Sequence, residues 1–390
     1  MKKLTIFSFL IPFFCIQAGF SQNLTIVEQD YDKAKLLSRQ EQKPLLIDFY
    51  TTWCGPCKEL DQVIFKDPVI AGEIGKQFIV LKYDAEKDST FKLSLKYHIN
   101  SYPTTLILNT DQMLLNRMYG FGNSGLGLVE NYRELLKKAM LNNAANRYIT
   151  GVSNTTDLPY PQFYKDYVYR VNTKNIDDKV KDYWEHTDDY LSEVPFAILC
   201  YFQGGTSTVN NFFLANRKKY EALYGELDVL FVTTMIVNEK FFAAIKLKDR
   251  GAFASAIALA KANLAPVVAI DMAGMMEERM LQSENRWPEA MRQFSLRKKE
   301  YKSDESVAAF CWNVYEHSTD QNTLKQCTKW MQAITGRIPR YDVLDTYARL
   351  LFKTGHKKQA INIMKRAIKM GQLKQEDVKS SEEWLKKSGL

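Results

Sequence analysis

The stretch that most limits what this chain can become is Trp53-Cys54-Gly55-Pro56-Cys57-Lys58, which follows the apolar run Leu45-Leu46-Ile47-Asp48-Phe49-Tyr50 and a short Thr51-Thr52 turn. Two thiols two residues apart at the start of a helix can exchange electrons with another disulfide. The free amide donors and positive dipole end of a helix N-terminus favour a thiolate and lower the pKa of the first cysteine. Cys54 is therefore the candidate nucleophile. Cys57, one turn further in, is placed to attack the mixed disulfide on Cys54 and release the partner. This requires a Cys54 sulfur that is ionised and accessible, and such pairs usually bury the second sulfur.

Two other uses of the pair remain open at this level. A zinc site needs a second cysteine pair or a Cys/His pair at ligand spacing, whereas His98, His186, His317 and His356 are scattered singly. A static disulfide closing so short a loop gains little compared with longer ones. Redox chemistry is the reading adopted, with no metal and no cofactor.

The same segment resembles thioredoxin. The resemblance lies in a strand ending Ile47-Asp48-Phe49, the Trp53-Cys54-Gly55-Pro56-Cys57-Lys58 block opening a helix, and Asp48 six residues before the first cysteine. It implies that Asp48 is buried behind Cys57 and assists its deprotonation as a general base. A carboxylate in an apolar strand has a raised pKa, as proton transfer near neutral pH requires. A second match is Ser101-Tyr102-Pro103-Thr104, ahead of the strand Thr105-Leu106-Ile107-Leu108. In the family this proline has a cis peptide bond and faces the two sulfurs, and the backbone beside it pairs with a bound chain. Trp53, Gly55, Pro56, Tyr102, Pro103 and Thr104 are thus the expected substrate contacts. One departure is that the lysine paired with the buried aspartate is not matched, since alignment through Asp84 puts Val80 there and leaves Lys82 two residues off.

Segment order from Val27 to Asn143 follows that fold: a mixed sheet covered on both faces by helices. The pattern predicts helices over 32–41, 54–65, 90–97 and 125–141, a short helical stretch from Asp67-Pro68 to Gly75, and strands over 78–82, 105–108 and 114–119. Gly120-Phe121-Gly122-Asn123-Ser124-Gly125 fits a dinucleotide motif literally but lacks the following strand and its acidic residue, and reads as a glycine turn. Beyond residue 147 strand patterns largely stop. Residues 148–235 read as an aromatic-rich helical connector with helices at 179–191 and 210–224, and Gly204-Gly205-Thr206-Ser207 as a helix-helix turn.

Residues 236–390 repeat. Phe253-Ala256-Ala260, Trp287-Ala290-Phe294, Leu324-Cys327-Met331 and Lys357-Ala360-Met364 recur in steps of 34, 37 and 33 residues. This resembles the tetratricopeptide repeat, whose stacked helix pairs make an extended surface for another polypeptide. The expected fold class is an α/β thioredoxin-like domain (22–147) followed by an all-α, tetratricopeptide-like region.

Residues 1–21 read as a cleavable leader: Met1-Lys2-Lys3, an apolar run from Leu4 to Ala18 broken by Pro12, then Gly19-Phe20-Ser21. Export, most simply to a periplasm, is the expectation. The remaining Cys200, Cys311 and Cys327 sit in apolar surroundings and read as buried free thiols. The formal charge of +8, two of it from the leader, forms no basic cluster interleaved with aromatics, which argues against nucleic acid. Two function classes follow. One is an exported thiol-disulfide oxidoreductase, a reductant or isomerase of protein disulfides fed by a membrane electron donor, with the helices selecting partners. The other is a polypeptide-binding scaffold whose thioredoxin-like domain is an incidental redox module.

Overall fold

The computed structural model describes residues 24–121, 127–202, 206–297 and 302–388. The expected leader, most of the glycine turn after Phe121, and Gly204-Gly205 lie outside the described residues. The chain divides into two compact units, one through Val229 and one from Leu230.

The first unit is built on five strands: β1 (Ile26–Glu28), β2 (Leu45–Tyr50), β3 (Ile79–Asp84), β4 (Thr104–Leu108) and β5 (Leu114–Tyr119). They lie in the order β1-β3-β2-β4-β5, with β3 parallel to both β1 and β2, and β4 antiparallel to both β2 and β5. β2 is central and buried through Phe49, which is why its sequence is a continuous apolar run rather than an alternation. Helices α1 (Tyr31–Glu41), α2 (Gly55–Leu60), α3 (Pro68–Gln77), α4 (Leu93–Lys96) and α5 (Leu128–Ala144) cover it. This is the mixed, helix-covered sheet expected of the thioredoxin fold.

Local chemistry sets where these helices start. Asp30 caps α1 through the Lys33 amide, and Asp67 caps α3 through the amides of Val69 and Ile70, with Pro68 at the first helical position. The helix expected over 90–97 shrinks to α4. Asp88 accepts hydrogen bonds from the amides of Leu93 and Ser94, and Lys92 takes a left-handed conformation (φ 54°), so the chain cannot be helical before Leu93.

Residues 148–229 belong to this same unit and add α6 (Gln162–Val168), α7 (Ile176–Glu185), α8 (Glu193–Tyr201), α9 (Ser207–Ala215), α10 (Arg217–Tyr224) and the start of α11 (Glu226–Leu247). Two sequence expectations are corrected here. α7 stops at Glu185 rather than Leu191, where the His186 ring and the Thr187 hydroxyl take up the Asp182 and Tyr183 carbonyls. The single helix expected over 210–224 is two, broken at Asn216, whose side-chain amide donates to the Phe212 carbonyl.

These helices are tied to residues 95–100, just ahead of β4. Tyr164 donates to the Leu95 carbonyl (3.1 Å), Tyr201 to that of Ile99, and Asn100 to that of Cys200 (2.9 Å). Lys96, itself buried, pairs with Glu193, and Arg117 on β5 pairs with Asp228 (3.3 Å). A buried cation with an anion from a different element makes this junction specific as well as apolar.

The second unit is all helical. After the rest of α11 come α12 (Arg250–Asn263), α13 (Pro266–Ser283), α14 (Trp287–Leu296), α15 (Asp304–His317), α16 (Gln321–Arg337), α17 (Tyr341–Lys353), α18 (Lys357–Leu373) and α19 (Lys379–Lys387). The recurring triplets fall on every second helix: α12, α14, α16 and α18. All are buried except Lys357, the first member of the last copy. Alanine or cysteine at the middle position lets the neighbouring helix approach closely. Cys311 and Cys327 are buried in this core outside any disulfide, and Cys200 is likewise buried in the first unit.

Candidate active site

The site forms where β2 ends. The chain leaves Tyr50, turns at buried Thr51, whose carbonyl accepts from the Cys54 amide (3.3 Å), and enters α2 with Cys54 as its N-cap. The Cys54 sulfur accepts from the Cys57 amide at 3.1 Å, which places it on the open donors of the first turn. Pro56 sits in that turn, where a missing N–H costs nothing. Cys54 and Cys57 are joined as a disulfide, their Cα atoms 5.3 Å apart.

Exposure differs from the expectation. Cys54 is 3% exposed and Cys57 5%, so Cys54 is not the open member of the pair. Its sulfur is both bonded to Cys57 and turned onto the helix as a capping acceptor, which draws it in from the surface. Trp53, by contrast, is 58% exposed.

The Tyr102–Pro103 segment comes to the same place because Thr104 on β4 pairs with Phe49 on β2. The Tyr102–Pro103 bond is cis. Thr104 donates its hydroxyl to the Ser101 carbonyl (2.8 Å), and the Pro103 carbonyl accepts from the Gly120 amide (2.7 Å). Gly120 has φ +71°, a conformation that favours glycine. The Trp53 and Tyr102 rings meet edge to face at 6.1 Å, and the Trp53 indole donates to Glu86 (2.8 Å). Trp53, Pro56, Tyr102, Pro103 and Thr104 thus flank the helix start from two sides.

Asp48 lies on the face of β2 shared with Leu46, which packs with Leu60 after the helix start and Tyr132 of α5. It is fully buried, and its Oδ2 pairs with Lys82 Nζ at 2.5 Å. Burial raises the Asp48 pKa, and Lys82 offsets this only in part. Burial would lower the pKa of Lys82, but Asp48 and Asp61 together hold it above the ordinary lysine value.

Lys82 is therefore the cation that the alignment through Asp84 failed to place. β3 runs on to Asp84, and its parallel register sets Lys82 directly beside Asp48. No alternation marks the position in the sequence, since all of β3 is buried. Asp61 was missed as well. The helix expected to run unbroken to Phe65 changes to a π-turn over Asp61–Phe65. Asp61 Oδ1 reaches Lys82 (3.1 Å), while its Oδ2 meets Lys66 at the surface (3.0 Å). Its place seven residues after Cys54, on the same helical face, is the signal that could have found it. The Phe65 ring closes the other side, its centroid 4.4 Å from Lys82 Nζ.

A nucleophile at a helix start and a buried carboxylate linked through Lys82 and Asp61 to the surface can divide disulfide exchange into attack and assisted resolution. Lys82→Met is expected to leave Asp48 buried without its nearest cation and to cost about 3–5 kcal/mol at neutral pH. Urea unfolding should show this as a lower midpoint, with the penalty shrinking in acid as Asp48 takes up a proton. Among the described residues no cluster of three or more His, Cys, Asp or Glu could hold a metal ion.

Residues 26–110 match the thioredoxin-like family profile. Thioredoxin-1 of Drosophila melanogaster is 32% identical over 83 residues, 21% of this chain and 73% of that protein. The chain belongs to the thioredoxin-like family. The thiol:disulfide interchange protein DsbD of Vibrio vulnificus strain CMCP6 is 37% identical to this thioredoxin-like chain over 59 residues, 15% of the chain. The chain spans about a tenth of the length of that relative. A solved thioredoxin from Thermus thermophilus is 15% identical, covering 32% of this chain and 93% of that one with a TM-score of 0.27. The family match ends at residue 110, well before the helical second unit.

Proposed function

We propose that this protein is an exported thiol-disulfide oxidoreductase that reduces or isomerises disulfides in other polypeptides, with its helical region selecting them. The observation that carries the reading is the Cys54–Cys57 pair capping a helix next to the buried Asp48–Lys82–Asp61 chain. In the reduced protein the Cys54 thiolate attacks one sulfur of a substrate disulfide; that S–S bond breaks as the mixed disulfide forms, and the other substrate sulfur leaves and takes a proton. Cys57 gives its proton to Asp48 and attacks the Cys54 sulfur, releasing the second substrate thiol. Two electrons have passed to the substrate, and the protein is left as its disulfide. An external dithiol, in the cell a membrane donor, returns it to the reduced state.

Export rests on the leader pattern of residues 1–21, and a periplasm is the compartment proposed. Among the described residues no helix is long and apolar enough to cross a membrane. The alternating buried triplets on α12, α14, α16 and α18 support a tetratricopeptide-like, polypeptide-binding role for the second unit.

The low exposure of Cys54 favours a second reading, a scaffold with an incidental redox module. Trapping with Cys57→Ser separates the two. An oxidoreductase should accumulate mixed disulfides with several polypeptides that dithiothreitol releases. Retention of one partner with no covalent bond would assign the scaffold.

A further inference from the structure

The two carboxylate oxygens of Asp48 have unlike surroundings. Oδ2 is held by Lys82 Nζ at 2.5 Å, whereas Oδ1 is buried with no hydrogen-bond partner among the described residues. The open oxygen is the one that can take up a proton without displacing Lys82.

Two hydroxyls converge on the same place. Thr105 on β4 lies directly across from Asp48 in the antiparallel β2–β4 ladder, so both side chains leave the sheet on one face. Opposed residues of this kind have Cβ atoms about 4.5–5.5 Å apart, a span that a carboxylate and a threonine hydroxyl together can bridge. The next pair on that face, Leu46 and Ile107, packs against Tyr132 of α5. Tyr132 also meets the Phe65 ring edge to face at 6.2 Å, and that ring covers Lys82 Nζ at 4.4 Å. The phenol is thereby fixed from two sides beside the Asp48–Lys82 pair, and its hydroxyl is near enough to Thr105 and Asp48 to act on both. Asp48, Thr105 and Tyr132 are all buried, and neither hydroxyl has a hydrogen-bond partner among the described residues. A buried hydroxyl is costly unless something answers it. Valine at 105 and phenylalanine at 132 would fill the same space without that cost, so packing alone does not account for either oxygen.

We propose that Thr105 and Tyr132 are positioning residues for the resolving step: their hydroxyls donate to Asp48 Oδ1 while it is ionised, Thr105 turns to accept once Oδ1 carries the Cys57 proton, and together they set the pH at which the carboxylate can act. A hydroxyl can fill both roles because it has one donor and two acceptor lone pairs. The proposal rests on the oxidoreductase reading above, in which Asp48 takes that proton. The charged groups facing Asp48 are Lys82 from β3, Asp61 from the π-turn after α2, and Glu28 from β1, which lies beside Lys82 in the β1–β3 register. Lys82 favours the ionised carboxylate and the two acids oppose it. Cys57 on α2 carries no charge while it is joined to Cys54. Removing a donating hydroxyl leaves all of these in place and raises the proton affinity of Asp48.

The test titrates the oxidised full-length protein, whose disulfide keeps Cys57 from titrating, by carbon-13 NMR of labelled aspartate carboxyls. The Asp48 signal is the one missing from Asp48→Asn. Thr105→Val should raise the Asp48 midpoint by about one pH unit, the scale of one hydrogen bond to a charged group, and Tyr132→Phe should raise it too. Thr105→Ser, which keeps the hydroxyl, should restore the native midpoint. In the reduced protein, the pH-dependent rise in thiol release from a Cys54 adduct should move up by the same amount in Thr105→Val. A midpoint unmoved or lowered in both Thr105→Val and Tyr132→Phe overturns the proposal; if circular dichroism shows Thr105→Val unfolded, Tyr132→Phe alone decides. A Thr105→Ser midpoint as high as that of Thr105→Val would assign the shift to packing and overturn it as well. Failure of the underlying reading looks different: the midpoints shift as stated, while Asp48→Asn releases the thiol at the native rate.

Discussion

Cys54→Ser is expected to lower insulin disulfide reduction to the rate of the donor dithiol alone, a loss on the order of 10³-fold or more, as when other enzymes lose a nucleophile. A serine hydroxyl at the same N-cap can still accept the Cys57 amide, so the helix start should survive and the loss can be assigned to the chemistry. A companion measurement addresses the burial of Cys54. Reduction of the Cys54–Cys57 bond removes one of the two ties on the sulfur and leaves the capping hydrogen bond, and iodoacetamide at neutral pH should label position 54 ahead of 57. Protection of both thiols after reduction, with insulin turnover unchanged in Cys54→Ser, would remove the catalytic reading.

Asp48→Asn is expected to slow resolution of a mixed disulfide on Cys54 by about 10²-fold, the lower end for loss of a general base. Release of a chromophoric thiol from that adduct reports the step directly. Only the carboxylate can accept the Cys57 proton, so the native rate should rise with pH through the raised Asp48 pKa, and this rise should vanish in the variant. The stability consequence has the opposite sense. The folded state holds the Asp48 proton more tightly than the unfolded state, so native stability falls as pH climbs from the ordinary aspartate range through the raised value. The cost is fully present above that value and disappears in acid. Asp48→Asn should therefore unfold at a higher temperature than the native protein at neutral pH, with the difference closing in acid. Equal resolution rates and parallel pH profiles would show that Asp48 is a buried charge with no part in the chemistry.

What the sequence made legible was chiefly what depends on short-range patterns. The apolar β2 run, the cysteine block and the Tyr102–Pro103 step announce the first sheet and its site because each is encoded in a few adjacent residues. Lys82 was not legible, since its role depends on the register between two strands that are both buried, and a two-residue error in alignment moves a different side chain beside Asp48. Asp61 was legible only as a carboxylate seven positions after Cys54 on the same helical face; that it meets Lys82 depends on the same strand register. Residues 148–235 read as a connector because their helices are short and their aromatics show no clean period, whereas the first unit runs on through Val229. The contacts that fix them, such as Tyr201 to Ile99 and Arg117 to Asp228, join residues about a hundred positions apart.

Cys200 and Cys311 are buried outside any disulfide, and burial holds their thiols well above the usual cysteine pKa; Cys327 is buried beside Cys311, also outside any disulfide. Among the described residues, cysteine sulfur thus comes in two kinds: one couple that can trade with the surroundings and three atoms kept mute by the packing around them. Loss of the packing would give them a voice, so heat or denaturant in air should leave cross-linked, non-native products, while an excess of reductant should keep recovery open.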